Sequence, residues 1–366
     1  EERGNDLTPA ALARRFGEDA PVARGEEARC SSGHDAVQLG LNRMVYFSWS
    51  LISEPSAFVS CRDGSYDVLA VLLTLGLGQL GCAEMEVRES GTDAAWKRVY
   101  DMLLRAAALF DLVSRHVGVL PPEAAILPDF SPLCLHCFRS QAVAQAHEIT
   151  MYQGHRRDRP AHILASVASE TALQYRRVAE GAKRMADALP ANLRMRKWYL
   201  YAKYKTRLYA ALAYHHLAVE QQRPQSYGLS LSCSQKAQQL VMEAFDEMHT
   251  FLGAQPKNRG QERLFSEAQE RFTSSINRLA RISEQDNQMI YREPVPAPPP
   301  LPVPKSFLTV AEANLPAQSP AWSDGLRRGL DGAALQAAVD SQPDPPPRTA
   351  APVGEGEPRA ESSGGL

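Results

Sequence analysis

Asp129-Phe130-Ser131-Pro132, running on to Gly154 through Leu135, Phe138, Val143, Ala146 and Ile149, is the stretch that decides the fold class. Ser131 has the side chain of an N-cap, and Pro132 stands at the first helical position, where a missing N–H costs nothing. The apolar residues that follow recur at helical spacing, so the segment predicts an amphipathic helix with one buried face.

Outward from this helix the same reading repeats. Toward the N-terminus, helices are expected over about 66–87 and 93–117. The second carries Trp96, Val99, Met102, Leu103, Ala106, Leu109, Phe110 and Val113 at three- and four-residue spacing, capped by Thr92-Asp93 and stopped by Gly118 and Pro121-Pro122. Toward the C-terminus, Asp158 and Pro160 introduce a fourth helix with Ile163, Leu164, Val167, Ala168, Ala172, Tyr175, Val178 and Ala182. A fifth, about 192–221, repeats Trp198, Tyr201, Tyr204, Leu208, Leu212 and His215. The sixth and seventh are expected over about 231–252 and 260–286, the last with Leu264, Ala268, Phe272, Ile276 and Leu279 on one face. Long helices joined by short loops, with no strand-like alternation after residue 60, predict an all-α bundle or α-solenoid.

Residues 1–40 are polar and irregular. After Tyr291, prolines at 294, 296, 298, 299, 300, 302 and 304 forbid helix and favour polyproline II. Residues 341–366 carry Pro, Gly, Ser and charge, and are expected to be disordered; Gly325–Val339 has the pattern of one short helix.

Composition narrows the function classes. The 366 residues hold 40 basic and 42 acidic side chains, a formal charge of −2. Without a basic stripe, nothing steers nucleic acid to the chain. Six cysteines are too few for a disulfide scaffold and suit a reducing compartment. The start Glu1-Glu2-Arg3-Gly4 lacks a signal-peptide pattern. The most apolar run, Val68–Ala83, is short for a bilayer and is expected to be a buried core helix.

Chemistry-bearing motifs are sparse. Cys134-Leu135-His136-Cys137 has metal-like spacing but no second pair to complete four ligands. His215-His216 lacks the acidic residue of an H-E-x-x-H site, and Gly76-Leu77-Gly78 lies in a helical run with no following strand. No phosphate loop, nucleophile elbow or kinase set occurs. The expectation is a non-enzymatic binding scaffold without cofactor or metal.

Six stretches, in order, resemble the Bro domain family of the Alix, His-domain phosphatase and rhophilin type. They are Phe47-Ser48-Trp49; Tyr66 to Gly76; Ala106 to Phe110 with His116-Val117; Asp129-Phe130-Ser131-Pro132 followed by Ala144-Gln145-Ala146-His147-Glu148; Tyr209 to His216; and Asp286 to Pro296. The resemblance covers about 41–305, leaving 1–40 as a divergent front segment and 306–366 as a largely disordered tail. It implies a curved, banana-shaped α-solenoid of tetratricopeptide-like hairpins, with a small β element near the N-terminus.

The resemblance further implies a cytoplasmic adaptor, peripherally recruited to endosomes, for endosomal sorting and multivesicular body formation. Its partner would be the C-terminal amphipathic helix of a Snf-type ESCRT-III subunit (a charged multivesicular body protein). A rhophilin-like signalling scaffold is the alternative. Carried across from the A-Q-A-x-E motif, the partner groove falls on Thr150, Ile163 and Val167, with Met151 and Leu164 beside them. Ile163 and Val167 lie four apart on one helix face. Thr150 stands where the family commonly has a larger anchor. Tyr291 matches a family tyrosine that is a candidate for phosphorylation, and the proline run is a candidate ligand for an SH3-like or profilin-like partner.

Overall fold

The computed structural model describes residues 46–53, 57–61, 63–89, 91–189, 192–253, 259–304 and 308–314, the side chains at 88–89, 259–262, 264–265 and 268–269 excepted. The irregular front segment, the tail beyond 314 and the helix expected at Gly325–Val339 lie outside these residues, as do the side chains of Leu264 and Ala268.

Two short strands open the described chain. β1 (Phe47–Ser50) and β2 (Phe58–Cys61) pair antiparallel, with Phe47 opposite Cys61 and Ser50 opposite Phe58. Seven long helices follow: α1 (Gly64–Glu89), α2 (Asp93–His116), α3 (Pro132–Arg156), α4 (Ala161–Ala188), α5 (Leu193–Gln222), α6 (Tyr227–Gly253) and α7 (Arg259–Asp286). Three short helical turns, Val117–Val119, Pro122–Ala125 and Pro128–Phe130, lie in the α2–α3 connection. Each long helix packs chiefly on its neighbours in sequence. That stacking of consecutive hairpins is the arrangement of an α-solenoid.

The residues that signalled α3 also join it to the rest. Ser131 accepts the Cys134 N–H at 3.2 Å and donates to the Pro128 carbonyl at 2.7 Å. Phe130 is buried with its ring 5.9 Å from that of Tyr66 on α1. Asp129, also buried, accepts the backbone N–H groups of Ile52 and Ser53 at 2.5 and 3.1 Å, fastening the turn after β1. Burial pushes the Asp129 carboxyl above its ordinary value, and those two N–H bonds oppose the shift. Asn192, the N-cap of α5, donates to Ser53 O at 2.6 Å. One turn thus ties strand, α3 and α5.

The core divides mainly into two clusters. The first joins α1, α2, the α2–α3 connection and the start of α3 around Tyr66, Phe110 and Phe138; Phe138 bridges the Phe110 and Trp198 rings at 5.4 and 5.0 Å. The second joins α3 to α7 around Tyr175, Phe245 and Ile276. The apolar run Val68–Ala83 is core on one side only. Leu69, Ala70, Leu73 and Ala83 are buried, whereas Val68, Val71 and Leu75 are 45–49% exposed. Periodicity inside so apolar a run gives no polar face by which to tell the two sides apart. By length and composition α1 is apolar enough to cross a membrane.

α7 ends in a π-helical turn, Asn287–Tyr291, that starts a strap. Arg292 takes a left-handed backbone (φ 53°). The buried Asn287 amide donates to Glu293 O at 3.0 Å and accepts Glu293 N–H at 2.9 Å, while the Glu293 carboxylate accepts Gly228 N–H at 2.7 Å. The strap then crosses α5 and α4. With no N–H groups to offer, the prolines are held by their carbonyls: Tyr214 donates to Pro299 O at 3.0 Å and Ser169 to Pro302 O at 2.8 Å. Beyond, Leu308 and Val310 pack on the first cluster, and Arg115 pairs with Glu312 and bonds to Ala313 O. Packed chain therefore continues past residue 305, the boundary expected from sequence.

Candidate functional site

The five expected groove residues sit where α3 turns into α4. The helices meet closely there: a Cβ on the buried Gly154 would lie 2.7 Å from Leu164 Cδ2. Met151, Leu164 and Val167 are buried, at 4%, 6% and 2% exposure, with Met151 and Val167 inside the second core cluster. Ile163 is half-buried against that cluster. Thr150 is also half-buried, its hydroxyl turned back to Ala146 O at 3.0 Å, which leaves its methyl as the apolar part on offer. The structure thus puts Thr150 and Ile163 at the surface and the other three beneath them. Around Ile163 the surface continues through the exposed His162 and half-buried Ser166.

The side of α3 that carries Glu148 lines an open cleft of about 960 Å³. Its floor is Gln141, Gln145, Glu148, Ile149 and Tyr152; α1 and α2 supply Val87 and Trp96 on one wall, and α5 supplies Tyr201, Lys205 and Tyr209 on the other. Met151 also lines this cleft. At about 100° per residue, Thr150 points about 200° away from Glu148, so Thr150 and Glu148 lie on opposite faces of one helix.

Glu148 is the polar centre of that cleft. It accepts Tyr175 O–H at 2.6 Å and Lys205 Nζ at 2.9 Å, and the ammonium lies 5.6–5.8 Å from the rings of Tyr175, Tyr201 and Tyr209. Burial opposes the charge on Lys205, yet Glu148 and the surrounding phenols hold it protonated well above the ordinary lysine range. Burial pushes the Tyr175 and Tyr209 phenols well up. A satisfied ion pair roofed by aromatic rings fixes α3 to α5; no catalytic role follows from it. Glu148 stands in the A-Q-A-x-E motif, and Tyr175 and Tyr201 fall at helical spacing on their own helices, but what joins them is tertiary.

The remaining candidates resolve simply. Cys134 and Cys137 are fully buried, and Cys137 Sγ would lie 2.2 Å from a Cβ on Gly181 of α4, so the thiol fills the α3–α4 crossing. Burial raises both thiols, Cys137 to about 12. Among the described residues no group of three His, Cys, Asp or Glu is placed to hold a metal ion. His216 is buried and His215 half-buried, their rings 5.3 Å apart, and His155 lies 4.8 Å from His216. Burial, then the neighbouring imidazoles, lowers His216 to about 3; burial, then His155, lowers His215 to about 4. Tyr291 is 42% exposed and stacks flat on Tyr227, ring centroids 3.4 Å apart.

A row of helical hairpins closed by a returning strap, with accessible apolar surface, defines a helical-repeat class of fold. The BRO1-like domain model matches residues 37–328, and the chain belongs to that family. It is 24% identical over 244 residues to the vacuolar protein-sorting protein bro-1 of Neurospora crassa, which covers 65% of this chain. The chain spans only 22% of that protein's length. Among solved structures it is similar to one described as an ALIX BRO1 CHMP4C complex, at TM-score 0.58 and 18% identity over 75% of this chain and 72% of that one. A second, described as the structural basis for endosomal targeting by the Bro1 domain, gives TM-score 0.55 and 14% identity over 90% and 78%. At these identities the structures establish the shared fold.

Proposed function

We propose that this chain is a non-enzymatic adaptor that binds the C-terminal amphipathic helix of a Snf-type ESCRT-III subunit in endosomal sorting. The observation that carries this reading is the half-exposed Ile163, at the position the family resemblance assigns to the groove, on a fold shared with a domain solved in a CHMP4C complex. Ile163 and Thr150 form the contact surface; Met151, Leu164 and Val167 form the layer that holds it in shape. Helix-in-groove recognition asks for a few apolar anchors, and Thr150 supplies less apolar surface than an aromatic side chain would. The chain acts in the cytoplasm and reaches endosomes through that partner. Pro294, Pro296 and Pro298 are exposed on the strap, which leaves a polyproline face for an SH3-like or profilin-like partner. Tyr291 has the exposure a kinase needs.

One observation favours a second reading, a scaffold of the rhophilin kind using a different surface: the open cleft above Glu148 and Tyr152. Two surface variants separate the two. Ile163→Asp places a charge on the α3–α4 surface, and Tyr152→Asp places one in the cleft, where Tyr152 is 44% exposed. Loss of peptide binding with Ile163→Asp alone supports the first reading. Loss with Tyr152→Asp alone moves the site to the cleft.

A further inference from the structure

α1 presents an apolar stripe that nothing among the described residues covers. Val68, Val71, Leu75 and Met85 are 47%, 45%, 49% and 59% exposed, and Gly78 and Cys82 between them are exposed too. A Cβ on Gly78 would meet no atom within 4 Å. The positions 68, 71, 75, 78, 82 and 85 follow alternating steps of three and four. That is the seam of a coiled coil rather than the wider face of a helix packed in a globular core. α1 packs chiefly on α2 and β1, so it is the end helix of the described row and its outer face is open.

The stripe is also complementary to itself. Set antiparallel about a two-fold axis between Gly76 and Leu77, Val68 faces Met85 of a second copy, Val71 faces Cys82, and Leu75 faces Gly78. The bulkiest central side chain then enters the gap left by the glycine. A shift of one heptad either way loses two of the six layers. It also takes Leu75 off Gly78, setting it against Met85 or Val71 instead. The two acids that meet at each end of the seam, Glu86 and Asp67, have partners within their own chain: Glu86 pairs with Arg98, and Asp67 accepts Trp49 Nε1–H at 3.0 Å.

We infer that this face is a self-association surface on which a second copy of the chain docks its own α1 antiparallel. The seam from Val68 to Met85 is about 25 Å long, from 17 steps of about 1.5 Å each. That is at the small end of specific interfaces, so the dimer is a weak one that forms in the micromolar range.

The test uses the full chain with Cys30→Ser, so that Cys82 is the exposed thiol. Sedimentation equilibrium up to about 100 µM, a range suited to a weak interface, is expected to show the mass rising from 40.3 kDa toward twice that value. Leu75→Arg, on an exposed position, is expected to keep the mass at 40.3 kDa with an unchanged melting temperature. Val71→Cys is expected to form a disulfide-linked dimer on mild oxidation, because that position faces Cys82 of the second copy. A mass of 40.3 kDa throughout overturns the inference. So does a dimer that survives Leu75→Arg, or Val71→Cys cross-linking no better than the parent. A monomer that binds neutral phosphatidylcholine vesicles through Leu75 also overturns it, and assigns the stripe to a lipid surface.

Discussion

Replacing Gly181 by alanine tests the packing of α3 on α4 at the point where the sequence suggested zinc. The added Cβ would lie 2.2 Å from Cys137 Sγ and 3.3 Å from Leu133 Cδ1. Ordinary carbon–sulfur contact is about 1.5 Å longer than the first distance, by the same contact geometry that sets close packing. Cys137 is fully buried, so its thiol has little room to turn aside. Overpacking of this kind costs about 1–3 kcal/mol. Against it, alanine in a helix interior gains about 1 kcal/mol over glycine. Gly181→Ala is therefore expected to lose up to about 2 kcal/mol net. Cys137→Ala alone opens a small cavity and is expected to cost about 1 kcal/mol. Combined, the new methyl occupies the space of the missing sulfur, and the double variant should fall within about 0.5 kcal/mol of the parent. Urea denaturation of the four proteins gives the coupling directly. Single-variant losses that simply add would refute the close crossing, and with it the assignment of Cys137 to packing.

Three further outcomes follow from particular contacts. Asn287→Ala removes both bonds to Glu293 and should cost about 2 kcal/mol. Limited proteolysis should then cut within 292–304 at least tenfold faster, since the strap has lost its anchor. Glu148→Gln leaves Lys205 in its aromatic surroundings without a counter-charge; the loss should be about 2–3 kcal/mol, below that of a fully dry pair because both groups keep some exposure. Lys205→Met in that background should recover part of it. His215 and His216, lowered to about 4 and about 3, stay neutral in the fold while an unfolded chain takes up protons below about 6.5. Stability from this pair is complete above pH 6.5 and falls as pH drops from there toward 4. Between pH 7 and pH 5 the loss should approach about 3 kcal/mol, with about half of it absent in His216→Leu, as read from melting temperatures.

Helix positions were written in the sequence because caps and periodicity are local. Ser131-Pro132 and Thr92-Asp93 start their helices where expected, and α2, α5 and α7 end within a residue of the sequence reading. α6 starts at Tyr227, a turn before the expected 231, across Gly228 and Ser230, which are weaker helix formers than the residues that follow. Gly228 is there for a tertiary reason: a Cβ would lie 2.3 Å from Pro294 O, where the strap crosses. The groove was less legible. Period 3.6 marks Ile163, Leu164 and Val167 as apolar, but α4 is packed on several sides and its apolar residues are not all on one exposed face. Which of them stays at the surface depends on α3, α5 and the strap. The Glu148–Lys205–Tyr175 centre joins three helices across 57 residues of sequence, a separation that no local pattern encodes.

The most direct test of the adaptor reading is calorimetric titration of the chain with a Snf-type ESCRT-III C-terminal helix peptide. The account predicts a one-to-one complex with Kd on the order of 10 µM, from a few apolar anchors less the cost of ordering the peptide. Ile163→Asp should weaken it at least tenfold while the melting temperature holds. No binding by the parent chain, or equal binding by Ile163→Asp, would contradict it.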